Sequence, residues 1–390
     1  MRKRFIVALI VESSTNYGRQ LLRGILRFKK TQSDWSVFLE QRDLKAGPPG
    51  WLADWTGDGI ICRSTTPEIA AVIRRRKIPF VELTDRRDEM LEFATLRSDD
   101  GVIGRLGAEH LLERGFRNFG FNGFDMEAWS DRRQAAFVER LEREGLGCSV
   151  FKSGWYGTSQ RNASAKALEI EQRRLGDWIE SLPAPVGIMA CNDICGKQIL
   201  DCCMLRGLAV PEKVAVVGVD NDEVLCNFCQ PPLSSVVPNA ELIGYRAAET
   251  LAHLMLGQPV KPLLRLVDPL DVKVRQSSDV VAIEDPDLAN ALSFIRSNAC
   301  FGITVNEVLT HTTLSRSSLE RRVRKLLGRS PQQEIRNSQL KQVRLLLNET
   351  DLSIEQIALQ CGFEHPEYLH VMFKREYNMT PGEFRKASQK

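Results

Sequence analysis

Up to about residue 275, short and nearly continuous apolar runs alternate with segments whose apolar positions recur every three or four residues. The runs are "FIVALIV", "WSVFLE", "DGIICR", "IPFVEL", "NFGFNG", "VGIMACND" and "VAVVGVDND". Unbroken hydrophobicity over so few residues is what a strand needs when helices cover both faces of its sheet. Between them, "GVIGRLGAEHLLERG" and "DRRQAAFVERLEREG" carry helical spacing and stop on a glycine. The alternation predicts a doubly wound parallel α/β architecture, long enough for two lobes, over residues 1–277. From Leu263 to Ser278 the pattern is irregular, and a linker is expected at 278–287. Residues 288–390 carry helical spacing and no strand signal.

The helical part repeats itself. "TVNEVLTHTTLSRSSLERRVRKLLGRSP", from Thr304, matches "SIEQIALQCGFEHPEYLHVMFKREYNMTP", from Ser353. Each copy opens with a capping box, Thr304 with Glu307 and Ser353 with Gln356, in which side chains satisfy the free N–H groups of a helix start. Thr312 and Thr313 stand where the second copy has Cys361 and Gly362, a glycine suited to a sharp turn. The copies close at Pro331 and Pro381. Two helices joined by a tight turn, at about 304–328 and again at 353–377, with the helix "QQEIRNSQLKQVRLLLNET" between them, is the plan of a paired helix-turn-helix unit.

Charge sharpens this reading. The whole chain balances 53 Lys and Arg against 50 Asp and Glu, with 43% apolar residues, an ordinary globular composition. From Pro286 onward, however, 15 basic residues face 11 acidic ones, and Arg316 to Arg329 holds six cations with only Glu320 among them. At about 100° per residue, Leu319, Val323, Leu326 and Leu327 form one apolar stripe, and Arg321 points opposite, flanked by Ser317, Arg324 and Lys325. A solvated helix mixes its signs, whereas self-repelling cations are tolerated when an anion compensates them. A membrane surface is the weaker partner, because the stripe is needed for the core and lacks Trp or Phe.

Other chemistry is sparse. No apolar run approaches the roughly 20 residues of a membrane helix, and the apolar stretch of "MRKRFIVALIVESS" ends at Glu12 without a cleavage site, which predicts a first strand in a cytoplasmic protein. The ten cysteines include adjacent Cys202 and Cys203 and the CxxC of Cys226 and Cys229, without the spacing of a secreted disulfide framework. Buried reduced thiols are expected, a zinc or redox role for the CxxC being the weaker reading. The histidines, at 110, 253, 311, 365 and 370, lie in no catalytic motif, and neither a Walker A sequence nor G-x-G-x-x-G occurs. No enzymatic activity, metal or cofactor is expected.

About Asp287 to Lys386, the chain resembles the DNA-binding domain of the AraC family, most specifically in "SIEQIALQCGFEHPEYLHVMFKREYNMTPGEFR". The resemblance implies that each long second helix enters the major groove of double-stranded DNA. By position, Ser317, Glu320 and Arg321 then face bases, with Arg324 and Lys325 beside them. In the second copy Pro366, Glu367, Tyr368 and Val371 take those places, His365 opens the helix, and Lys374 and Arg375 meet phosphate. Val371 stands where relatives often have arginine, which favours a thymine methyl over guanine readout.

Residues 4 to 275 resemble the ligand-binding core of LacI/GalR regulators and periplasmic sugar-binding proteins, through "RSDDGVIGRLGAEHLLERG", "MACNDICGKQILDCCMLRGLAVPEKVAVVGVDND" and "PPLSSV". The N-terminal helix-turn-helix of that family has no counterpart, since strand one is expected from residue 5. A LacI-like sensor followed by an AraC-type reader is similar to the arrangement of xylose operon regulators. The resemblance implies a D-xylose-induced activator of pentose catabolism genes, a homodimer on repeated half-sites, and RNA polymerase as a possible partner.

In such two-lobed proteins ligands bind at the carboxyl ends of the strands. Sugar hydroxyls pair well with carboxylates, amides and guanidinium groups, and the apolar ring face stacks on an aromatic. Strand-end positions select Asp99, Asn192, Asp193, Asp220 and Asn221, with Ser13 and Tyr17 on the loop after strand one. Arg133 matches the sugar-contacting arginine of the LacI group, and Trp129 offers a stacking surface. Structural readings compete: Asp193 as a helix cap, Trp129 as core packing, Asp220 and Arg133 as a lobe-bridging salt bridge. A purine, amino acid or sugar phosphate as ligand stays open, as does an α/β enzyme with a DNA-binding tail.

Overall fold

The computed structural model describes residues 4–32, 34–40, 47–63, 65–83, 92–125, 127–154, 165–280, 285–350 and 352–388. The chain divides into two compact units, Met1–Leu208 with Val214–Val280, and Ala209–Lys213 with Val281–Lys390.

The first unit holds two six-stranded sheets. One comprises β1 (Phe5–Ile10), β2 (Trp35–Leu39), β3 (Gly59–Cys62), β4 (Phe80–Glu82), β5 (Ala94–Ser98) and β11 (Leu264–Val267), in the order β11-β5-β4-β3-β1-β2 and parallel throughout. The other comprises β6 (Asn118–Phe124), β7 (Ser149–Ser153), β8 (Val186–Ala190), β9 (Val214–Val219), β10 (Ser234–Val237) and β12 (Asp271–Lys273), in the order β12-β10-β9-β8-β6-β7, with only β12 antiparallel. The chain crosses between the sheets after β5, β10 and β11. This is the doubly wound, two-lobed architecture expected from the pattern.

The apolar runs are unbroken because side chains of a strand alternate between two covered faces. In β1, Val7 and Leu9 pack with Leu21 and Ile25 of α1 (Asn16–Gln32) and with Ile243, Ala247 and Leu251 of α8 (Ala240–Met255). Ala8 and Ile10 face the opposite way, onto Ile69 and Ile73 of α2 (Pro67–Arg76). In the chain, α3 (Asp100–Leu112) precedes the second sheet, and α4 (Ala128–Glu142), α5 (Ala165–Ser181), α6 (Asp193–Leu205) and α7 (Glu223–Phe228) alternate with its strands. Helices α3 and α4 cross closely at Gly104, where an added Cβ would lie 2.4 Å from the Arg133 carbonyl oxygen.

Strands β11 and β12 correct the expectation of irregular chain at 263–278. Both are short edge strands, and Leu266, Asp271 and Lys273 are exposed, so no apolar run marks them. The segment expected as a linker at 278–287 is structured at both ends. Gln276–Ser278 forms a 3-10 turn with Ser277 and Ser278 buried, and α9 (Pro286–Asn298) starts inside the segment, capped by Asp285. Residues 281–284 of the expected linker lie outside the described residues.

The second unit continues with α10 (Val305–Thr310), α11 (Arg316–Leu327), α12 (Pro331–Glu349), α13 (Ile354–Gln360), α14 (Pro366–Tyr377) and α15 (Pro381–Ser388). Both expected capping boxes form, and a third, Ser330 with Gln333, opens α12. Leu340, Val343 and Leu347 of α12 pack on Ile357, Phe363, Leu369 and Phe373, so the linking helix is the spine of the second motif.

Candidate ligand cleft and nucleic-acid interface

Four parallel strands deliver the candidate ligand residues. Ser13 and Tyr17 follow β1, Asp99 follows β5, Asn192 follows β8, and Asp220 with Asn221 follow β9. The two lobes meet at this edge, where Asn16 Nδ2 donates to the Asn221 carbonyl at 3.1 Å. Tyr17 is buried, its hydroxyl 3.0 Å from Ser98 Oγ, and the Arg63 guanidinium lies 4.5 Å from its ring centroid. Arg63 in turn pairs with the buried Glu12. Asp99 caps α3, accepting from Val102 N–H at 2.9 Å, and stays half-buried.

Asp220 and Asn221 have φ of 105° and 45°. Left-handed backbone at two successive non-glycine residues costs energy and persists only where neighbours hold it. Asp220 N–H donates to the Val236 carbonyl at 3.1 Å, Asn221 N–H to Ser235 Oγ at 3.0 Å, and Asp222 N–H to Asp193 Oδ2 at 2.8 Å. Arg275 Nη2 adds a bond to Asn221 Oδ1 at 2.8 Å.

Asp193 therefore lies beneath this turn, and the competing reading of it as the helix cap is corrected: Asn192 caps α6, accepting from Cys195 N–H at 3.0 Å. Asp193 is buried, and Oδ1 lies 2.6 Å from Ser235 Oγ while the Cys226 thiol donates to Oδ2 at 3.4 Å. Burial and the neighbouring Asp220 charge push its pKa up to about 8. Cys226 and Cys229 are both buried; burial raises both thiols, Cys229 to about 11, so they are protonated. Among the described residues no cluster of His, Cys, Asp and Glu is placed to hold a metal.

Arg133 is only 3% exposed. Its Nε donates to Asp100 Oδ1 at 2.9 Å and Nη1 to the Cys191 carbonyl at 2.7 Å, while Arg132 takes the other Asp100 oxygen at 2.8 Å. The pair joins α3 to α4 within the second lobe, so this salt bridge of Arg133 does not span the lobes. Trp129 packs edge-on against Phe124, bonds Glu127 through Nε1 at 3.0 Å, and lies under the Arg133 guanidinium at 4.8 Å. The ring is built into the wall. Asn16, Arg63 and Arg275 join the site without being candidates in the sequence; only Asn16, at the start of α1 between Ser13 and Tyr17, carries a positional signal.

In the helical unit Leu319 and Val323 are fully buried, and Ser317, Arg321, Arg324 and Lys325 are exposed. Glu320 is half-buried and meets Arg316 at 3.6 Å. Of the remaining cations, Arg322 pairs with Asp285 and Arg329 with Glu334. Arg321, Arg324 and Lys325 make no ion pair among the described residues. In the second motif His365, Glu367, Tyr368, Val371, Lys374 and Arg375 are exposed and Pro366 is half-buried. The structure thus gathers the expected reading residues on the outer faces of α11 and α14.

Comparison with known proteins finds three family profiles along the chain. The XylR N-terminal domain profile matches residues 6–95, the periplasmic binding protein-like domain 108–278, and a helix-turn-helix domain 308–387. The chain is 31% identical to the xylose operon regulatory protein of Haemophilus influenzae over 97% of both, and 32% identical to that of Escherichia coli K12 over 98% of this chain and 97% of that one. The chain belongs to the xylose operon regulator family. Its fold superposes on the structure of the xylose-binding transcription activator xylR with a TM-score of 0.83 and 30% identity, covering 99% of each chain. As a member of this regulator family it is a DNA-binding regulator and not an enzyme. No helix among the described residues is long and apolar enough to cross a membrane.

Proposed function

We propose that this regulator is a D-xylose-induced transcription activator, working in the cytoplasm as a homodimer on repeated half-sites of double-stranded DNA, with RNA polymerase as its partner. The observation that carries the sugar reading is the left-handed Asp220–Asn221 turn, strained and held by hydrogen bonds from both lobes where they meet. Asp220, Asn221, Asn192, Asp99, Ser13 and Tyr17 bind the sugar hydroxyls, while Arg133 orders the wall with Trp129. Asp193 acts from below, by holding the turn.

Helix α3 connects this site to the exit of the sensor. Asp99 caps its start and Asp100 is its first residue, at the carboxyl end of β5. At its far end His110 Nε2 lies 2.7 Å from Ser278 Oγ, and Arg114 Nε donates to the Ser278 carbonyl at 2.7 Å. Cleft closure that shifts α3 therefore moves the point where the chain leaves for the readers. A coupling of about 1 to 3 kcal/mol is enough for a switch.

Titration calorimetry of the full chain with xylose, arabinose, ribose and glucose tests the sensor. Xylose should release heat and Asp220→Ala should abolish it; no heat from xylose sinks the inducer assignment. For the readers, Arg321→Ala should cost about 1 to 3 kcal/mol on a specific site and relax base preference there, while Lys374→Ala weakens all sequences evenly. Even loss for both would remove the reading roles given to α11.

A further inference from the structure

We propose that Arg336, on the helix joining the two motifs, binds a phosphate of the DNA backbone between the two groove segments that the motifs read. The inference rests on the DNA-binding reading above and adds a contact belonging to neither reading helix.

A cleft of about 480 Å³ opens beside α12. Arg336 and Gln332 line it from α12, Thr304 from the start of the first motif, and Glu364, His365 and Tyr368 from the start of α14. In helix-turn-helix docking the first helix crosses the backbone and the start of the second enters the groove. A cleft bounded by the opening of one motif's first helix and the opening of the other's reading helix lies where the strand passes between the two segments.

The guanidinium is held ready there. It lies 5.0 Å from the Tyr368 ring centroid and 5.6 Å from that of Phe363, and Nη1 donates to Gln339 Oε1 at 2.8 Å. Gln339 is fully buried and anchored to the Ala299 and Gly362 carbonyls at 2.9 and 3.2 Å. Arginine has five N–H donors in a fixed plane, and among the described residues Arg336 uses one and pairs with no carboxylate. Four other arginines of the unit differ: Arg296, Arg316, Arg322 and Arg329 each face a glutamate or aspartate. A planar cation fixed by aromatic stacking, with donors left over, suits bidentate capture of a phosphate. Among the described residues Glu364 is the one carboxylate lining the cleft, and it opposes the bound charge.

The test is titration of the full chain against an operator half-site at several salt concentrations. Arg336→Met keeps apolar bulk and removes the charge. It should weaken binding about tenfold on every sequence and lower the salt slope by about 0.9, without changing base preference. Arg336→Lys should recover the slope, and Glu364→Gln should tighten binding. A single neutral methylphosphonate between the two segments should weaken the wild type by the same factor and leave Arg336→Met unaffected. If Arg336→Met instead keeps the wild-type slope and loses base preference with a lower melting temperature, the side chain only supports the Gly362 turn and the proposal falls. Equal weakening of both proteins by the methylphosphonate also overturns it. Specific binding by the wild type in those cases leaves the DNA-binding reading intact; absence of specific binding removes both.

Discussion

Asp193→Asn should flatten the pH dependence of sensor stability. In the folded chain Asp193 is 2% exposed, with Asp220 close by, and its pKa is pushed up to about 8 from 3.8. The folded state thus holds a proton at neutral pH that the unfolded chain has released. Between about pH 4 and 8 the native state binds more protons, so stability is lost as pH rises, by up to about 1.4 kcal/mol per pH unit. From pH 5.5 to 7.5 the loss is about 2 to 3 kcal/mol. Asparagine mimics the protonated acid: its carbonyl accepts from Asp222 N–H and its amide donates to Ser235 Oγ, and it does not titrate. His110, buried and lowered to about 3, contributes the opposite slope between pH 3 and 6.5, because the unfolded chain then binds the extra proton. That slope is common to both proteins and cancels in their difference. Urea unfolding followed by tryptophan fluorescence suits the measurement, since the tryptophans, at 35, 51, 55, 129, 155 and 178, are confined to the sensor part of the sequence. The variant should gain on the wild type as pH rises from 5.5 to 8.5. Parallel curves would refute a protonated Asp193.

Three further outcomes are expected. Leu319→Ala empties a fully buried position in α11 and should cost about 2 to 5 kcal/mol; a loss below about 1 kcal/mol in circular-dichroism melting would place the stripe outside the core. Gly362→Ala, at φ 74° with an added Cβ 2.7 Å from Gly302 N, should destabilise the second motif more than Gly328→Ala, where φ is 70° but nothing lies within 4 Å. Equal melting shifts would show that the close approach carries no weight. Arg114→Met frees the Ser278 carbonyl, so it should leave sugar affinity and sugar-free DNA affinity unchanged while shrinking the effect of sugar on DNA binding; an undiminished effect would exclude α3 as the connection.

The legible parts of the sequence were those governed by local rules. Capping boxes at Thr304 and Ser353, the Leu319–Val323 stripe and the doubly covered strands all follow from periodicity and short-range hydrogen bonding. Strands β11 and β12 were not legible, because a three- or four-residue edge strand needs only one or two inward side chains and owes its existence to its neighbour's free edge. Cleft residues could be named from strand ends, yet their division of labour could not. Asn192 and Asp193 are adjacent, and which one caps and which one is buried under Asp220 depends on β10, more than forty residues away. Arg275 was hidden for the same reason, since its bond to Asn221 spans 54 residues.

The two readers are chemically unequal, and this limits how sugar can act. Helix α11 displays Arg321, Arg324 and Lys325, whereas α14 displays Glu367, Tyr368 and Val371 ahead of Lys374 and Arg375. Arginine suits guanine, a carboxylate accepts from cytosine, and valine meets a thymine methyl, so in the proposed docking one chain would read a sequence with a direction. Each good base contact is worth about 1 to 3 kcal/mol, and a reader makes more than one. A sugar coupling of about 1 to 3 kcal/mol is therefore too small to compensate for a reader held off the DNA. In the proposed homodimer it is large enough to decide whether a second chain docks beside the first, because that step needs no new contact within either reader, only a favourable effective concentration. In the proposed mechanism the inducer thus acts on how two intact chains are presented to two half-sites, and the reading faces of α11 and α14 stay the same with and without sugar.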